Sequence, residues 1–142
     1  MPDKLPIFLD TGYIYALVNS RDEWHKQALH WEQKLASDRR KLITTQLVLV
    51  EIADGLAAIK FRVRAVQEVI ALKSSPFVEV ITVSALLLDR ALALYGQRND
   101  KDWGLTDCAS FIVMHERGLS EALTMDEHFM QAGFRALLRE SM

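Results

Sequence analysis

Apolar residues recur along this chain with two different spacings. Short runs rich in β-branched or large apolar residues, each ended by a polar residue or a turn former, are typical of buried strands. Longer segments with apolar residues three or four positions apart are typical of amphipathic helices. The predicted strands cover residues 6–9, 41–44, 77–83, 121–124 and 134–137. The predicted helices cover residues 13–18, 22–36, 46–58, 60–73, 85–95 and 106–117.

Start and stop signals separate these elements. Ser84 and Thr106 are expected to cap the helices that follow them, Pro76 ends the helix before it, and Gly118 ends the helix over 106–117. Gly55 lowers the helix propensity of residues 46–58 without being expected to end that helix. Strands then alternate with helices, which argues for a parallel sheet covered on both faces. We predict one α/β domain over residues 1–142, a three-layer α/β/α sandwich with a mostly parallel central sheet.

Composition and charge argue against a disordered or fibrous chain and against a generally basic nucleic-acid binder. With 50% hydrophobic and 25% charged residues, the chain has an ordinary globular composition. The formal charge of −2 lacks the general basic excess of many nucleic-acid binders, so any basic surface must be local.

The cysteine count and the apolar run lengths bear on the compartment. Cys108 is the single cysteine, so an internal disulfide is excluded, and no Cys/His spacing is typical of zinc. Without an identifiable base partner, Cys108 is expected to pack in the core rather than act as a nucleophile. Residues 1–6 lack a signal-peptide pattern and no apolar run is long enough to span a bilayer. We therefore expect a cytoplasmic protein with no membrane segment.

Four acidic residues lie where an apolar segment meets a turn or a helix: Asp10, Glu51, Asp107 and Asp126. Asp10 follows the first predicted strand, and ligands of open α/β sheets bind at the carboxyl ends of the strands. Carboxylate oxygens are ligands that hard divalent cations prefer. The pattern therefore indicates a metal site suited to phosphodiester hydrolysis.

Each acid also has a structural interpretation. An aspartate at these positions could cap a helix or complement its dipole. Glu51 could be a solvated helix residue, but apolar neighbours at 48–50 and 52 predict a mostly buried helix, where an unpaired carboxylate is costly. Glu51 therefore favours the functional interpretation.

The four acids lie within segments that, taken together, resemble a PIN domain, in particular the VapC-type toxin ribonucleases of prokaryotic toxin–antitoxin pairs. The segments occur in family order and the resemblance spans nearly the whole chain. They are Phe8-Leu9-Asp10-Thr11, Leu49-Val50-Glu51-Ile52, Asp102-Trp103-Gly104-Leu105-Thr106-Asp107-Cys108, Leu123-Thr124-Met125-Asp126-Glu127-His128-Phe129 and the ending Gln131-Ala132-Gly133-Phe134.

The resemblance implies a carboxylate cluster that holds one or two Mg²⁺ or Mn²⁺ ions and cuts RNA. Asp10 and Asp107 are the expected direct ligands. Glu51 and Asp126 are expected to complete the site directly or through water. The expected supporting residues are Thr11, Asp102 and Thr124.

The resemblance also implies partners: an RNA substrate, a small antitoxin that covers the site, and a second copy of the chain in a homodimer. Apolar residues around Leu47 and Val48, or Trp24 and Trp31, are suitable interface material. Stacking of Trp24, His25 and Trp31 on bases is the alternative, but their helical spacing favours packing against a helix or another chain.

Two basic clusters are candidates for phosphate contacts. Lys60, Arg62 and Arg64 follow the Glu51 helix and are the better candidates, although the same surface could receive an antitoxin. Residues 39–41, Arg-Arg-Lys, are equally well explained as an ordinary solvated face.

Two other functions are compatible with part of the sequence. A phosphatase of the haloacid dehalogenase type also has an aspartate after its first strand, but Gly12 stands where that family has its second aspartate. A catalytically silent PIN-like module that binds RNA or protein is disfavoured by the intact acids. His128 is expected to be a surface or hydrogen-bonded residue, because a metal-activated water needs no histidine base.

Overall fold

Five short strands form one parallel sheet within residues 4–140, the part of the chain that this computed structural model describes. The strands are β1 (Ile7–Leu9), β2 (Leu42–Thr45), β3 (Val78–Ile81), β4 (Glu121–Leu123) and β5 (Arg135–Ala136). Their order in the sheet is β3-β2-β1-β4-β5, and every neighbouring pair is parallel. The predicted parallel α/β/α architecture is confirmed.

Helices connect the strands and cover the sheet. They are α1 (Thr11–Val18), α2 (His25–Asp38), α3 (Gln46–Gly55), α4 (Ile59–Ser74), α5 (Ala85–Gln97), α6 (Leu105–Arg117) and α7 (Glu127–Gln131), with a 3₁₀ turn at Leu137–Arg139. Residues 1–3, which belong to the segment examined for a signal peptide, and 141–142 lie outside the described part. The single domain over residues 1–142 therefore stays a prediction at both ends.

The strand order creates a crevice beside β1. The strand that follows β1 in the chain, β2, lies on one side of it, and β4 lies on the other side. Strands are therefore added on one side of β1 early in the chain and on the other side later. Ligands of open parallel sheets bind at such a switch point in the strand order. Leu9 pairs with Leu123, and the Asp10 N–H donates to the Leu123 carbonyl at 3.3 Å, so β1 and β4 end level with each other.

The core fixes the helices that border this crevice. Ile7, Phe8 and Leu9 are essentially inaccessible, as expected for a parallel strand buried on both faces. The Phe111 ring on α6 meets the Phe129 ring on α7 edge to face, with centroids 4.9 Å apart. Each such ring stabilises the fold by about 1.5–3 kcal/mol through burial, which holds the starts of α6 and α7 in place.

Several predicted helix boundaries differ from the structure, and two of them lie near the acids. Helix α3 ends at Gly55 rather than at residue 58, and the following residue, Leu56, is buried. Gly104, not Thr106, is the capping position of α6, and its N–H donates to the Asp107 carboxylate at 3.1 Å. The predicted cap at Ser84 and the stop at Gly118 are confirmed.

The sequence misjudged which apolar residues remain exposed. Val48 is completely buried and cannot form an interface, whereas Val50 is 55% exposed, so α3 buries only one face. Leu47, Trp24 and Trp31 pack partly against the chain's own core. One exposed apolar row lies on α4, at Ile59, Val63, Val66 and Ile70, and a second lies on α5, at Leu88, Leu92 and Tyr95.

Across residues 4–140, no helix combines the length and the apolar character needed to cross a membrane.

Candidate functional site

The four predicted acids line one open cleft of about 550 Å³. Asp10 follows β1, Glu51 lies in α3, Asp107 lies in the first turn of α6, and Asp126 precedes α7. The fold therefore brings together four carboxylates separated by up to 116 positions in the chain. This cleft occupies the crevice where β1 and β4 end.

Asp10 is the most deeply buried of these acids, with 6% of its surface exposed. The Thr124 hydroxyl donates a hydrogen bond of 2.7 Å to Asp10 Oδ2. Burial nevertheless raises the pKa of Asp10 to about 7, because it outweighs the lowering effect of Thr124, and the charges of Asp107 and Asp126 act in the same direction as burial. A positive charge in the cleft would favour the ionised form.

Glu51 is half-buried and tied to α1 by two hydrogen bonds. The Thr11 hydroxyl donates to Glu51 Oε1 at 2.7 Å, and the Tyr15 hydroxyl donates to the Glu51 carbonyl at 2.5 Å. Burial, followed by the charges of Glu51, Asp10 and Asp54, raises the pKa of Tyr15 to about 12. Two of these carboxylates lie on α3, and the third follows β1, so the Tyr15 hydroxyl lies between two parts of the fold that carry negative charge.

A cluster of three polar side chains connects the start of α6 with the start of α7. One donor atom from each of Asp107, Asp126 and His128 lies within 4.8 Å of the others. His128 Nδ1 is 3.0 Å from Asp107 Oδ2 and 3.5 Å from Asp126 Oδ1. Burial raises the pKa of Asp107 despite the His128 hydrogen bond. Burial lowers the pKa of His128, but the Asp107 hydrogen bond and nearby carboxylate charges outweigh it, so the pKa rises.

Helix capping explains the position of Asp126 but not that of Asp10. Asp126 caps α7, because Oδ1 accepts from the His128 N–H at 2.9 Å. Asp10 occupies the capping position of α1 but accepts no side-chain capping hydrogen bond. Its burial is therefore not explained by helix capping.

The supporting residues divide into two groups. Thr11 and Thr124 are buried and bind Glu51 and Asp10, and the Thr124 hydroxyl also accepts from the Asp126 N–H at 3.0 Å. Asp102 is exposed and lines a neighbouring cavity rather than the acid cleft. It lies beside the acids, close enough for its charge to raise the pKa of His128.

Two further polar residues of the cleft, Tyr15 and Asp54, escaped sequence reasoning, and His128 was considered but not assigned to the site. A signal existed for each, since Asp54 is three residues after Glu51 on one helix, a spacing that puts both on the same face. Tyr15 follows Thr11 by four residues in the same way. His128 was expected at the surface or hydrogen-bonded, and its partner proves to be a cleft acid.

The basic clusters lie outside the lining of the cleft. Lys60, Arg62 and Arg64 are exposed in the first turns of α4, and Arg64 pairs with Glu68 at 2.9 Å. Arg40 is structural, since it donates to the Leu5 carbonyl and pairs with Glu121 at 3.1 Å. Cys108 is fully buried, as predicted.

The donor set fits a hard divalent cation. Apart from the His128 ring and the Tyr15 hydroxyl, the polar groups of the cleft are carboxylates and Thr11, and magnesium and manganese prefer such oxygen ligands. Among residues 4–140, Asp107, Asp126 and His128 have donor atoms close enough together to share a cation, and Asp10 and Glu51 line the same cleft. The raised pKa values of Asp10 and Asp107 have the same cause that a cation would relieve, namely negative charge in a poorly hydrated place.

Comparisons with known proteins agree with this geometry. The family model described as PIN domain matches residues 7–135. The chain is 30% identical over 128 residues to proteins named 23S rRNA-specific endonuclease VapC20 from two strains of Mycobacterium tuberculosis, covering 90% of this chain and 95% of the relative. The crystal structure of Mycobacterium tuberculosis VapC20, described as a Sarcin-Ricin loop cleaving toxin, superposes with a TM-score of 0.79 and 28% identity. That match covers 92% of this chain and 97% of the other.

The family model spans most of the chain, and it includes all four acids and the strands that position them. The sequence similarity and the structural similarity extend over nearly the same length. The chain belongs to the PIN domain family.

Proposed function

We propose that this protein is a metal-dependent endoribonuclease that hydrolyses RNA phosphodiester bonds, and that it is the toxin of a VapBC-type toxin–antitoxin pair. The observation that carries the proposal is the convergence of four acids, in PIN order, on one cleft. The named activity of the Mycobacterium tuberculosis relatives supports RNA as the substrate class. The intact carboxylates do not favour a silent binding module.

The proposed ligands are Asp10, Glu51, Asp107 and Asp126, which would hold Mg²⁺ or Mn²⁺. When bound, such an ion would polarise the phosphate and lower the pKa of a water molecule, which makes that water a better nucleophile. This chain's own residues position the ligands: Thr124 orients Asp10 and the Asp126 backbone, and Thr11 orients Glu51. Such supporting hydrogen bonds preserve ligand geometry.

His128 has a positioning role in this proposal. Its Nδ1 forms a hydrogen bond of 3.0 Å with Asp107 Oδ2, which restrains the carboxylate. Asp102 adds negative charge beside His128 from the neighbouring cavity. We keep Asp102 as a supporting residue that acts through this electrostatic effect.

The phosphates of RNA must be held by positively charged side chains outside the acid cleft. Lys60, Arg62 and Arg64 are our proposed phosphate contacts, because they are exposed and follow the helix that carries Glu51. Such contacts position the backbone without reading sequence and weaken as salt rises.

The experiment that tests the proposal compares purified protein with Asp10→Asn. Both are incubated with 23S ribosomal RNA and with a mixed single-stranded RNA pool in Mg²⁺, Mn²⁺ or EDTA. We expect cleavage that requires the metal and falls to background in the variant. Cleavage that persists in EDTA, or in Asp10→Asn, would contradict the metal-site assignment. Absence of cleavage by antitoxin-free protein in either metal would contradict the ribonuclease proposal.

A small antitoxin is the proposed protein partner. The α4 row of Ile59, Val63, Val66 and Ile70 is 54–92% exposed, which is unusual for an apolar helix face of an isolated domain. It adjoins a groove lined partly by Val50 and Val69. We expect Val63→Asp to prevent co-purification with a small protein encoded beside this gene, whereas Leu29→Asp, at an isolated exposed leucine on α2, retains it.

A homodimer and a cytoplasmic location complete the proposal. Light scattering over a range of protein concentrations tests the dimer, and a monomer at every concentration would contradict it. Cell fractionation tests the compartment.

A further inference from the structure

A second open cavity, of about 780 Å³, lies between the end of α5 and the start of α6. Residues that line it include Tyr95, Arg98, Asn99, Lys101 and Trp103. Its size falls within the range of small-ligand sites, roughly 300–1,000 Å³. It combines aromatic rings with the positive charges of Arg98 and Lys101, and it also contains the carboxylate of Asp102.

The aromatic and planar groups of this cavity form a prepared stacking surface. Tyr95 is 50% exposed at the end of α5. The Arg98 guanidinium lies over the Trp103 ring, 4.9 Å from the centroid, and Asp100 holds it with hydrogen bonds of 3.0 and 3.2 Å. Trp103 itself is buried and fixed by a hydrogen bond from Nε1 to Gln131 Oε1 at 2.9 Å.

The cavity is adjacent to the acid cleft. Gly104 lines the cavity, and its N–H donates to Oδ2 of Asp107, which lines the cleft. Asp102 lines the cavity, and its charge acts on His128 in the cleft. One short segment, residues 102–107, therefore borders both spaces.

We propose that this cavity binds one nucleotide of the RNA substrate beside the bond that is cut. The inference rests on the proposed ribonuclease function. Unpaired bases stack on exposed aromatic rings and on guanidinium planes, and Tyr95 and Arg98 present such surfaces. Lys101 adds a positive charge for the phosphate, and the Asn99 side chain offers both a donor and an acceptor to a base edge. Because the acid cleft repels phosphate, this neighbouring subsite would supply part of the attraction that RNA needs.

The test measures binding and cleavage separately. Binding is measured in the Asp10→Asn background by fluorescence anisotropy, with a short fluorescein-labelled single-stranded RNA of mixed sequence and Mg²⁺ present. We expect Tyr95→Ala to weaken binding about tenfold or more, since loss of base stacking has effects of that order. Tyr95→Phe, which keeps the ring, should bind within about twofold of the parent. Lys101→Ala should weaken binding, and more strongly at low salt.

Matched controls lie on the same helix. Leu88→Ala removes an exposed apolar side chain of α5, and Arg90→Ala removes an exposed arginine that pairs with Glu116. Neither residue lines the cavity, so neither change should alter binding. Thermal unfolding of every variant shows whether it is folded. Equal binding by folded Tyr95→Ala, Lys101→Ala and the parent would overturn the proposal.

Cleavage kinetics separate this inference from the proposed function. In protein that retains Asp10, Tyr95→Ala should raise KM with kcat nearly unchanged, because Tyr95 stacks on a base and does not contact the reacting phosphate. Weakened binding by Tyr95→Ala together with no cleavage by the wild-type protein would support the subsite and overturn the nuclease. Metal-dependent cleavage with an unchanged KM in Tyr95→Ala would overturn the subsite and support the nuclease.

Discussion

At the scale of single residues, burial controls the chemistry of the acid cleft. Asp10 has few contacts with solvent, and its pKa of about 7 in the folded chain compares with 3.8 for an ordinary aspartate. The unfolded chain therefore loses its proton at lower pH than the folded chain does. Asp10 contributes stability to the metal-free protein below about pH 4, and that contribution is lost as the pH rises through about 7.

Replacing Asp10 with Asn removes this penalty, because the amide stays neutral at every pH. We expect metal-free Asp10→Asn to be more stable than the wild type near neutral pH, by roughly 2–4 kcal/mol, and the difference to shrink towards pH 4. Urea unfolding in EDTA at about pH 5 and about pH 8 measures both values. A variant that is less stable than the wild type at the higher pH would contradict the burial argument.

Thr124 is the second residue whose replacement has a defined effect. Its hydroxyl donates to Asp10 and accepts from the Asp126 N–H. Thr124→Val keeps the shape and removes both hydrogen bonds, so we expect a loss of stability of about 1–3 kcal/mol and a 10–100-fold loss of metal affinity. Thr124→Ser keeps the hydroxyl and should retain most of the metal affinity. Calorimetric titration with Mn²⁺ compares the two, and equal affinities would show that the hydroxyl does not orient Asp10.

At the scale of elements, the contact between α1 and α3 holds Glu51 in the cleft. Thr11 and Tyr15, one turn apart on α1, bind the side chain and the carbonyl of Glu51. Helix α3 can approach so closely because Gly55 faces the Tyr15 ring. The glycine is therefore explained by packing rather than by an unusual backbone angle.

Two helical glycines provide a matched comparison. In Gly55→Ala the new methyl group overlaps the Tyr15 side chain, so we expect a loss of about 1–3 kcal/mol and reduced cleavage because α3 moves Glu51. Near the end of α5, a methyl group on Gly96 would meet no atom of residues 4–140 within 4 Å. Gly96→Ala should stabilise the protein by about 0.4–1 kcal/mol. Equal stability changes in the two variants, measured by urea unfolding, would contradict the packing explanation.

At the scale of the whole molecule, the proposed metal site would couple metal binding to folding. Its proposed ligands come from the segments after β1 and β4 and from α3 and α6, so the unfolded chain cannot assemble them. Anything that binds only the folded state raises its stability, by about 2.7 kcal/mol at a free concentration one hundred times Kd. Because Asp10 and Asp107 have raised pKa values, metal binding near neutral pH should also release protons.

We therefore expect Mn²⁺ or Mg²⁺ to raise the melting temperature of the wild-type protein, and EDTA to reverse the change. Asp107→Asn should abolish this increase, whereas Asp38→Asn, at the exposed end of α2, should retain it. Differential scanning calorimetry with each metal measures the effect. An equal increase in all three proteins would place the cation outside the acid cleft.

Local patterns were sufficient for the architecture and for the four acids. The alternation of strand and helix segments predicted the parallel sheet, because burial on both faces requires continuous apolar strands. Asp10, Glu51, Asp107 and Asp126 were identified because each lies where an apolar segment meets a turn or a helix, and the PIN-like segments showed them in family order. The predicted helix boundaries near Gly55 and Gly104 were less accurate. Close packing decided where α3 ends, and the extended backbone of Gly104 decided where α6 begins.

The sequence by itself determined the period of each element, the succession of strands and helices, and which carboxylates follow them. Only the tertiary structure decided that β1 lies between β2 and β4, that Thr11 reaches Glu51, and that His128 reaches Asp107. It also decided which apolar residues stay exposed on α4 and placed a cavity beside the acids at residues 102–105. The physical reason is range: hydrophobic period and capping depend on neighbours within a few residues. Burial, hydrogen-bond partners and pKa values depend on atoms that strand order and helix packing bring from distant parts of the chain.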